Sequence, residues 1–437
     1  MKNILLNILL FLQISIPKSG FSQGPLSLEE AISIALKQNY DIRLVSNEIA
    51  IAENNVNIAN AGMLPVVSGD VSSSATIQNT TQTLLSGETR ALEGAQNTAM
   101  AYGANLNWTI FDGFQMFARY DQLKELQKLG EANLKQAILS TVFDVVSEYF
   151  NLVQQQQQLN ALETALDLSR YRLQMAESRY QIGRAAKLEV LAANVDLNTD
   201  TTNLMRQRVF FGNTKIRLNE ILARDVNTPF DLADSIIIES SLKYDQLLNL
   251  ALQHNPDLQA ALINRRIAQL NLKQVKGQRY PTINVNSAYT RSRTTAELGF
   301  ATQTRNNGFS YGFNASMNIF NGLLQRRNEK NAEIAIENAS VDLEKTNQSL
   351  LAQLAAAFQT YLVNLDLVAL EENNQSIAKQ NMDITLDKYK LGSITPLEFR
   401  EAQRNYIDAS VRFSNALYEA KMAEIGLKQI AGSLTLN

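Results

Sequence analysis

The side chains that most often carry out enzymatic chemistry are scarce in this sequence of 437 residues. It contains no cysteine, and His254 is its only histidine. These counts exclude a disulfide framework, a thiolate nucleophile, a zinc-thiolate site and a histidine-based metal cluster or catalytic triad. We therefore predict a protein with no catalytic residues, no cofactor and no metal site.

Glu398 and Glu401 form the carboxylate pair that we single out by its spacing. They are three residues apart at a predicted helix start, so they lie on one face of that helix. A catalytic dyad is the less favoured interpretation of this pair. A structural role is the alternative for Glu398, because Thr395 and Pro396 begin the helix with a threonine cap and a proline at the first helical position.

The N-terminus has the pattern of a secretory leader. Lys2 precedes the mainly apolar run 4–16, and small residues follow Pro17, so we predict a signal peptide over residues 1–22. An uncleaved anchor helix is the alternative, but the run is shorter than the roughly 20 residues that cross a bilayer. No later segment has 18 uninterrupted apolar residues, so an exported chain would enter a membrane with strands. The net charge of −3, with Lys and Arg spread throughout, indicates no nucleic-acid partner.

The chain is a tandem duplication of one long unit. Residues 35–42 return as residues 251–258, and residues 179–183 return as residues 388–392. Neither half has the pattern of a separate globular domain. We divide the mature chain into three segments: a first repeat (23–223), an inter-repeat linker (224–241) and a second repeat (242–437).

The two repeats differ in length at one place. The offset between them is 216 residues at Pro65 and Pro281, and 209 residues at Phe111 and Phe320. Length changes are tolerated where a chain is exposed and unpacked. We therefore predict a surface loop in each repeat, over residues 79–98 and 293–307.

Alternating polar and apolar residues around these loops indicate strands. Over residues 102–110 and 309–319, aromatic and aliphatic residues interleave with Asn, Ser, Thr and Gly. A half-buried sheet in a soluble sandwich has the same alternation. The leader, a length near the ~10 residues of a tilted membrane strand and the small polar residues favour a barrel with a watery interior. Trp108 would then lie in the packed barrel wall or in an interfacial aromatic belt.

One chain has too few strands for a barrel of its own. Each repeat supplies one hairpin, whereas the smallest closed membrane barrels have about eight strands. An open sheet edge cannot lie in lipid, because its backbone groups would lack hydrogen-bond partners. The strands therefore predict an oligomer in which several chains share one barrel.

Long helices follow each hairpin. Apolar residues seven apart run along residues 114–178, which indicates helix-on-helix packing over roughly 100 Å. A second helix runs from Gly183 to about Ala223, and the second repeat has the same pair of helices around Gly392. A left-handed residue that ends a helix is a sufficient explanation of both glycines.

The order of these motifs, occurring twice, resembles the TolC family of outer membrane efflux proteins. A proline precedes the first strand of each hairpin, Phe-Asp-Gly or Phe-Asn-Gly follows the second strand, and Tyr-x-x-Gly marks each helical turn. The resemblance covers essentially the whole mature chain. It implies an α+β membrane protein, a TolC-like homotrimer with four strands per chain in a shared twelve-stranded β-barrel and a long periplasmic α-helical barrel.

The resemblance also assigns roles at the helical tips. The turns that contain Tyr180, Gly183, Tyr389 and Gly392 correspond to the family's docking sites for adaptor proteins and inner-membrane transporters. Glu398 and Glu401 correspond to carboxylates that narrow the tunnel entrance.

Glu189 and Tyr389 correspond to gate contacts between neighbouring helical hairpins. Ile394 stands where a family member has an arginine, so a lock would use Tyr389 or another partner. Glutamates crowded around a threefold axis would also bind protons more tightly than isolated ones.

We therefore expect a passive exit duct of a tripartite efflux pump or type I secretion system, in the outer membrane of a Gram-negative bacterium. Most of the chain would lie in the periplasm. Its partners would be two further copies, a periplasmic adaptor, an inner-membrane transporter and outer membrane lipid. The alternative is a periplasmic adaptor or a structural coiled-coil protein of an export system, but such adaptors carry one helical hairpin and this chain has two. The exported substrate is left open.

Overall fold

The protein has the same order of helices and strands in both halves. The structure, a computed structural model, describes residues 25–299 and 301–434. The predicted signal peptide lies outside these residues. The elements are α1 (Leu28–Gln38), α2 (Tyr40–Asn55), β1 (Val66–Thr83), β2 (Thr89–Phe111), α3 (Gln115–Gln181), α4 (Lys187–Ile221), α5 (Tyr244–His254), α6 (Pro256–Gly277), β3 (Thr282–Ala296), β4 (Gln303–Ser316), α7 (Leu324–Lys390) and α8 (Pro396–Ile430).

Near the start of each half, two consecutive helices meet at an asparagine. Its side chain caps the second of these helices and also binds the end of a more distant helix. The Asn39 side chain accepts hydrogen bonds from the N–H groups of Asp41 and Ile42, which caps α2, and its amide donates to the carbonyl of Ile221 (2.9 Å). Asn255 caps α6 and donates to the carbonyl of Ile430 (3.1 Å) in the same way. An asparagine is needed because the site uses both an acceptor and a donor.

The four strands form one antiparallel sheet in the order β1-β2-β3-β4, and the β2–β3 pair joins the two halves. One face of the sheet is apolar and the other is polar. The apolar face includes Val71, Tyr102, Trp108, Val285, Tyr289, Phe309 and Phe313, which are directly opposed or an even number of residues apart on one strand. The polar face includes Ser68, Asn105, Asn286 and Gly312. This arrangement fits strands with lipid on one side and water on the other.

The predicted surface loops are shorter than expected, which corrects the sequence analysis. Most of residues 79–98 belongs to β1 and β2, and only residues 84–88 form the turn. In the second half, the connection is limited to residues 297–302. Beyond the Asn97–Ala296 pair, β1 and β2 form a ribbon that pairs only with itself, in which most residues are exposed and Ala95 is buried. Its polar composition therefore concealed the strands. Conversely, β4 ends at Ser316, before the predicted Ile319.

The long helices pack side by side in a single layer. The 67 residues of α3, and equally of α7, span about 100 Å at 1.5 Å per residue. Helix α3 packs between α4 and α8, and α8 packs in turn on α7. Nearer the sheet, α3 contacts α2 and α6, and α6 contacts α7. The protomer, sheet and helices together, therefore has two edges. One edge is formed by β1, α2 and α4, and the other by β4 and α7.

The connection between the repeats lies against the helices. Leu26 forms a parallel bridge with Leu232, and the Tyr149 hydroxyl on α3 donates a hydrogen bond to the Leu26 carbonyl (2.8 Å). A buried cluster around Tyr149 includes Phe150 and Phe230. Within the described ranges, we find no helix that combines the length and the apolar character needed to span a membrane.

Candidate functional site

Both helical tips are tight turns that end on a left-handed glycine. Gly183 and Gly392 have φ angles of +75° and +77°. After each glycine, a backbone N–H closes the turn on a carbonyl of the preceding helix, from Arg184 to Arg179 (2.7 Å) and from Ser393 to Lys388 (3.0 Å). A Cβ on Gly183 would meet no atom within 4 Å. Backbone conformation, rather than space, therefore requires glycine there, as the structural alternative predicted.

Glu398 caps its own helix. Its carboxylate accepts hydrogen bonds from the Thr395 N–H (2.8 Å) and hydroxyl (2.9 Å), and the Glu398 N–H donates to the Thr395 hydroxyl (3.3 Å). These bonds hold the pKa of Glu398 below its ordinary 4.5. Glu401 forms an exposed ion pair with Arg404 (3.1 Å). The capping role of Glu398 is therefore confirmed. Within one protomer, the cap lowers the proton affinity of Glu398, whereas crowding around a threefold axis was expected to raise it.

Tyr389 is buried beneath the tip, unlike its counterpart Tyr180. Its ring stacks on Phe399, with centroids 5.1 Å apart, and the Arg179 guanidinium lies 4.8 Å from the ring centroid. Tyr180 is 44% exposed, whereas Tyr389 is fully buried. Burial raises the pKa of the Tyr389 hydroxyl, which has no hydrogen-bond partner within the described part of the chain.

Glu189 and Tyr389 line the same cavity, which lies between the two helical hairpins. The cavity has a volume of about 450 Å³ and mainly apolar walls. One carboxylate oxygen of Glu189 is buried without a hydrogen-bond partner among the described residues. The structure thus brings the two predicted gate residues to one place but does not join them by a hydrogen bond.

A group of largely buried charges, which we call the charged layer, was not predicted from the sequence, and three of its four members line this cavity. It consists of Arg172 on α3, Asp196 and Asp200 on α4 and Arg400 on α8. Arg400 binds Asp200 through two hydrogen bonds (2.7 and 3.0 Å), and Arg172 binds Asp196. Arg172 and Asp200 are almost fully buried. The layer therefore fastens the second hairpin to the first.

Two polar side chains and two apolar clusters surround the charged layer. Ser169 donates a hydrogen bond to Asp200, and Gln403 donates to Ser169 (3.2 Å). On one side lie Leu159, Leu166 and Leu204; on the other, towards the tip, lie Ala176, Val190 and Ala193.

A signal for this layer existed in the duplication. At the 209-residue offset, Arg400 corresponds to Leu191 and Asp200 corresponds to Ala409. Charges therefore occupy positions where the other repeat has apolar residues.

Trp108 lies on the apolar face at the end of the sheet nearest the helices. It is opposite Val285, and its indole N–H donates to the carbonyl of Met63 (2.9 Å). With 40% of its surface exposed, Trp108 has a position that suits an interfacial aromatic residue as well as a packed one.

A Gly-x-Ser-x-Gly sequence occurs at residues 308–312, but the structure gives it no catalytic role. Ser310 lies within β4, whereas a nucleophile of this motif lies at a turn from strand to helix. The second such sequence, residues 20–24, is outside the described residues. His254 is the only histidine available to either serine.

Comparisons with known proteins agree with this architecture. The profile of the outer membrane efflux protein family matches residues 31–224 and 247–433. The outer membrane efflux protein BepC of Brucella suis is 20% identical over 94% of this chain and 87% of its own length. The outer membrane protein TolC of Vibrio cholerae is 24% identical over 67% of this chain and 68% of its own.

A solved structure has the same fold. The outer membrane channel CmeC of Campylobacter jejuni superposes with a TM-score of 0.75 at 19% identity, covering 93% of this chain and 85% of CmeC. These proteins are outer membrane proteins and channels rather than enzymes, in agreement with the predicted lack of catalysis. On the extent of the profile match and on its duplicated architecture, the chain belongs to the outer membrane efflux protein family, the TolC family that its motifs resemble.

Proposed function

We propose that this protein is the passive exit duct of a tripartite efflux pump or a type I secretion system, and that it works as a homotrimer. The observation that carries the proposal is that the two edge strands of the sheet, β1 and β4, each have a side without a pairing partner among the described residues. Neither edge could lie in lipid alone, because its backbone groups would be left without partners. Pairing β4 of one copy with β1 of the next satisfies both edges, and three copies give a twelve-stranded barrel.

Apolar stripes on the edge helices support the same assembly. Apolar side chains at intervals of seven or fourteen residues are exposed along each helix: Leu188, Val195, Val209 and Ile216 on α4, and Val363, Leu370, Ile377 and Ile384 on α7. Such spacing is typical of a helix seam with a partner. Because α7 is the repeat counterpart of α3, and α8 of α4, α7 would pack on α4 of the next copy as α3 packs on α8.

The assembly would place the sheet in the outer membrane and the helices in the periplasm. Adaptor and transporter proteins would dock at the tips, around the turns of Gly183 and Gly392. The proposal includes a signal peptide over residues 1–22. It also includes a first repeat over residues 23–223, a linker over 224–241 and a second repeat over 242–437.

The tip would also form the tunnel entrance. Three copies of Glu398 and Glu401 would bring carboxylates near the axis, where they would attract cations. Glu189 and Tyr389 would contribute to the gate, since their unpaired polar atoms face one cavity.

Planar-bilayer conductance of the purified protein tests the proposal. We expect a detergent-stable trimer that opens stable channels, with an epitope inserted near Glu88 accessible to antibody on intact cells. A monodisperse monomer without channel activity would contradict the duct and favour an adaptor or a structural coiled-coil protein.

A further inference from the structure

Three arginines lie on the apolar face of the sheet, close to its hairpin turns. Arg291 and Arg293 belong to β3, and Arg305 belongs to β4. Arg293 is directly opposite Arg305, and Arg291 is directly opposite Tyr102 on β2. Tyr289 lies two residues before Arg291 on the same face. We call Arg291, Arg293 and Arg305 the arginine triplet.

The arginine triplet has no anionic partner within the described part of the protein. All three side chains are exposed, and none forms an ion pair or a hydrogen bond with another described residue. The nearby Glu297 accepts a hydrogen bond from the N–H of Gln96 instead (2.8 Å). Like charges placed directly opposite across two strands destabilise a sheet. The arrangement therefore calls for an anion from outside the chain.

The depth of the triplet identifies where that anion would be. Along β3, eight residues separate Ile283, at the helix end of the apolar face, from Arg291. At about 3.3 Å per residue and a tilt of about 40°, this corresponds to about 20 Å. The apolar band of a membrane barrel is about 25 Å tall. The triplet therefore lies at the far boundary of the band, where lipid headgroups begin.

We propose that the arginine triplet binds the phosphate groups of phosphorylated lipids in the outer leaflet. The proposal rests on the barrel orientation given above. A guanidinium binds phosphate through two parallel hydrogen bonds, and two opposed arginines can hold one dianion. The aromatic rings of Tyr289 and Phe309, next towards the membrane centre, provide a surface for the acyl chains.

The duplication restricts this site to one hairpin in each copy. The repeat counterparts of the triplet are Ala75, Ile77 and Gln96, none of which is charged. A homotrimer would thus carry three such sites, one on each β3–β4 hairpin.

Lipid binding to the detergent-purified trimer, counted by native mass spectrometry, tests the proposal. The probes are phosphatidic acid, a diacylglycerol with the same chains and inorganic phosphate. One basic residue near an anionic surface contributes about fivefold to affinity, so R293Q/R305Q should bind phosphatidic acid about thirtyfold more weakly than wild type. The control R265Q/R266Q removes two arginines from α6 and should bind it normally. R293K/R305K, which keeps the charge but not the paired hydrogen bonds, should be intermediate.

Three results would overturn the proposal: equal affinity of R293Q/R305Q and wild type, equal binding of diacylglycerol, or binding of inorganic phosphate as tight as that of the lipid, which would indicate a simple anion site. Trimer content and conductance are measured on the same samples. If wild type forms no trimer or channel, the proposed function fails, whereas loss of lipid binding in a conducting wild type would refute this inference alone.

Discussion

At the scale of single residues, the charged layer is the clearest departure from what the sequence led us to expect. Its partners Asp200 and Arg400 are 200 residues apart, so no local spacing links them. Buried ion pairs add little net stability, because desolvation offsets their attraction, but loss of one partner leaves a buried charge. We therefore interpret the layer as fixing the register between the two hairpins.

Replacing one member of this layer should be costly. Arg400→Met leaves Asp200 buried without its cation, and we expect the free energy of unfolding to fall by about 3 kcal/mol. The exposed Arg412–Glu371 pair (3.2 Å) supplies the control, because Arg412→Met should cost less than about 1 kcal/mol. Denaturant unfolding followed by circular dichroism measures both. Equal losses would mean that the charged layer behaves as an ordinary surface ion pair.

The two roles of Glu398 can be separated by two substitutions. Glu398→Gln retains an acceptor for the Thr395 N–H but removes the charge, whereas Glu398→Ala removes both. We expect multivalent cations, added from the periplasmic side, to block wild-type channels and to block both variants less. Combination with Glu401→Ala should abolish the block. Both variants should also lower the unfolding midpoint at neutral pH, and Glu398→Ala should lower it more than Glu398→Gln, because the glutamine still accepts a hydrogen bond.

The pH dependence of the cap follows from the lowered pKa of Glu398. A carboxylate with a depressed pKa stabilises the fold above its ordinary value of 4.5, and this contribution is lost as the pH falls through the folded-state pKa. The difference in stability between wild type and Glu398→Ala should therefore shrink on acidification below pH 4.5. A difference that stays constant would contradict a charged cap.

At the scale of elements, the sequence predicted the helices better than the strands. The seven-residue period of α3 is sustained over many turns, and left-handed glycines follow both long helices at the tips. The β1–β2 ribbon instead consists mostly of exposed polar residues, so alternation was absent and composition suggested a loop. The polarity of a strand's residues therefore depends mainly on what surrounds the strand, and it is a weaker guide to whether the backbone is extended.

The repeated asparagines offer a test at this scale. Asn39→Ala removes the cap of α2 and the hydrogen bond to Ile221, which should together cost about 2 kcal/mol. Asn39→Ser keeps a capping oxygen but has no amide to donate to Ile221, so about half of that loss is expected. Unfolding of the two variants measures the difference. If the serine variant were as stable as wild type, the contact between α2 and the end of α4 would contribute nothing.

At the scale of the whole molecule, the duplication predicts the contacts between copies. Within one chain, the first repeat meets the second through β2 with β3, α3 with α6 and α3 with α8. The equivalent contacts between copies would be β4 with β1, α7 with α2 and α7 with α4. The charged layer, however, has no charged residue at the equivalent positions of the other repeat. The counterparts of its four members are Asn381, Asn405, Ala409 and Leu191. The junction between copies would therefore lack the charged layer.

Gly113 and Gly322, equivalent glycines after β2 and β4, test whether copies assemble in this way. A Cβ on Gly113 would overlap the carbonyl oxygen of Gly277 at the end of α6, whereas a Cβ on Gly322 would meet nothing within 4 Å of the same chain. In the trimer, however, Gly322 would face Ala61 of the next copy, the counterpart of Gly277. We therefore expect Gly113→Ala to impair folding of the protomer and Gly322→Ala to impair trimer formation.

Backbone strain must be separated from this contact between copies. Gly322 and Gly87 both have positive φ angles, +65° and +85°, and Gly87 lies in the exposed β1–β2 turn with open space around it. Both alanine variants should therefore suffer similar strain of about 1 kcal/mol. Only Gly322→Ala should lower the fraction of detergent-stable trimer on native gels. Equal trimer fractions for the two variants would show that the repeat relation does not extend to the contacts between copies.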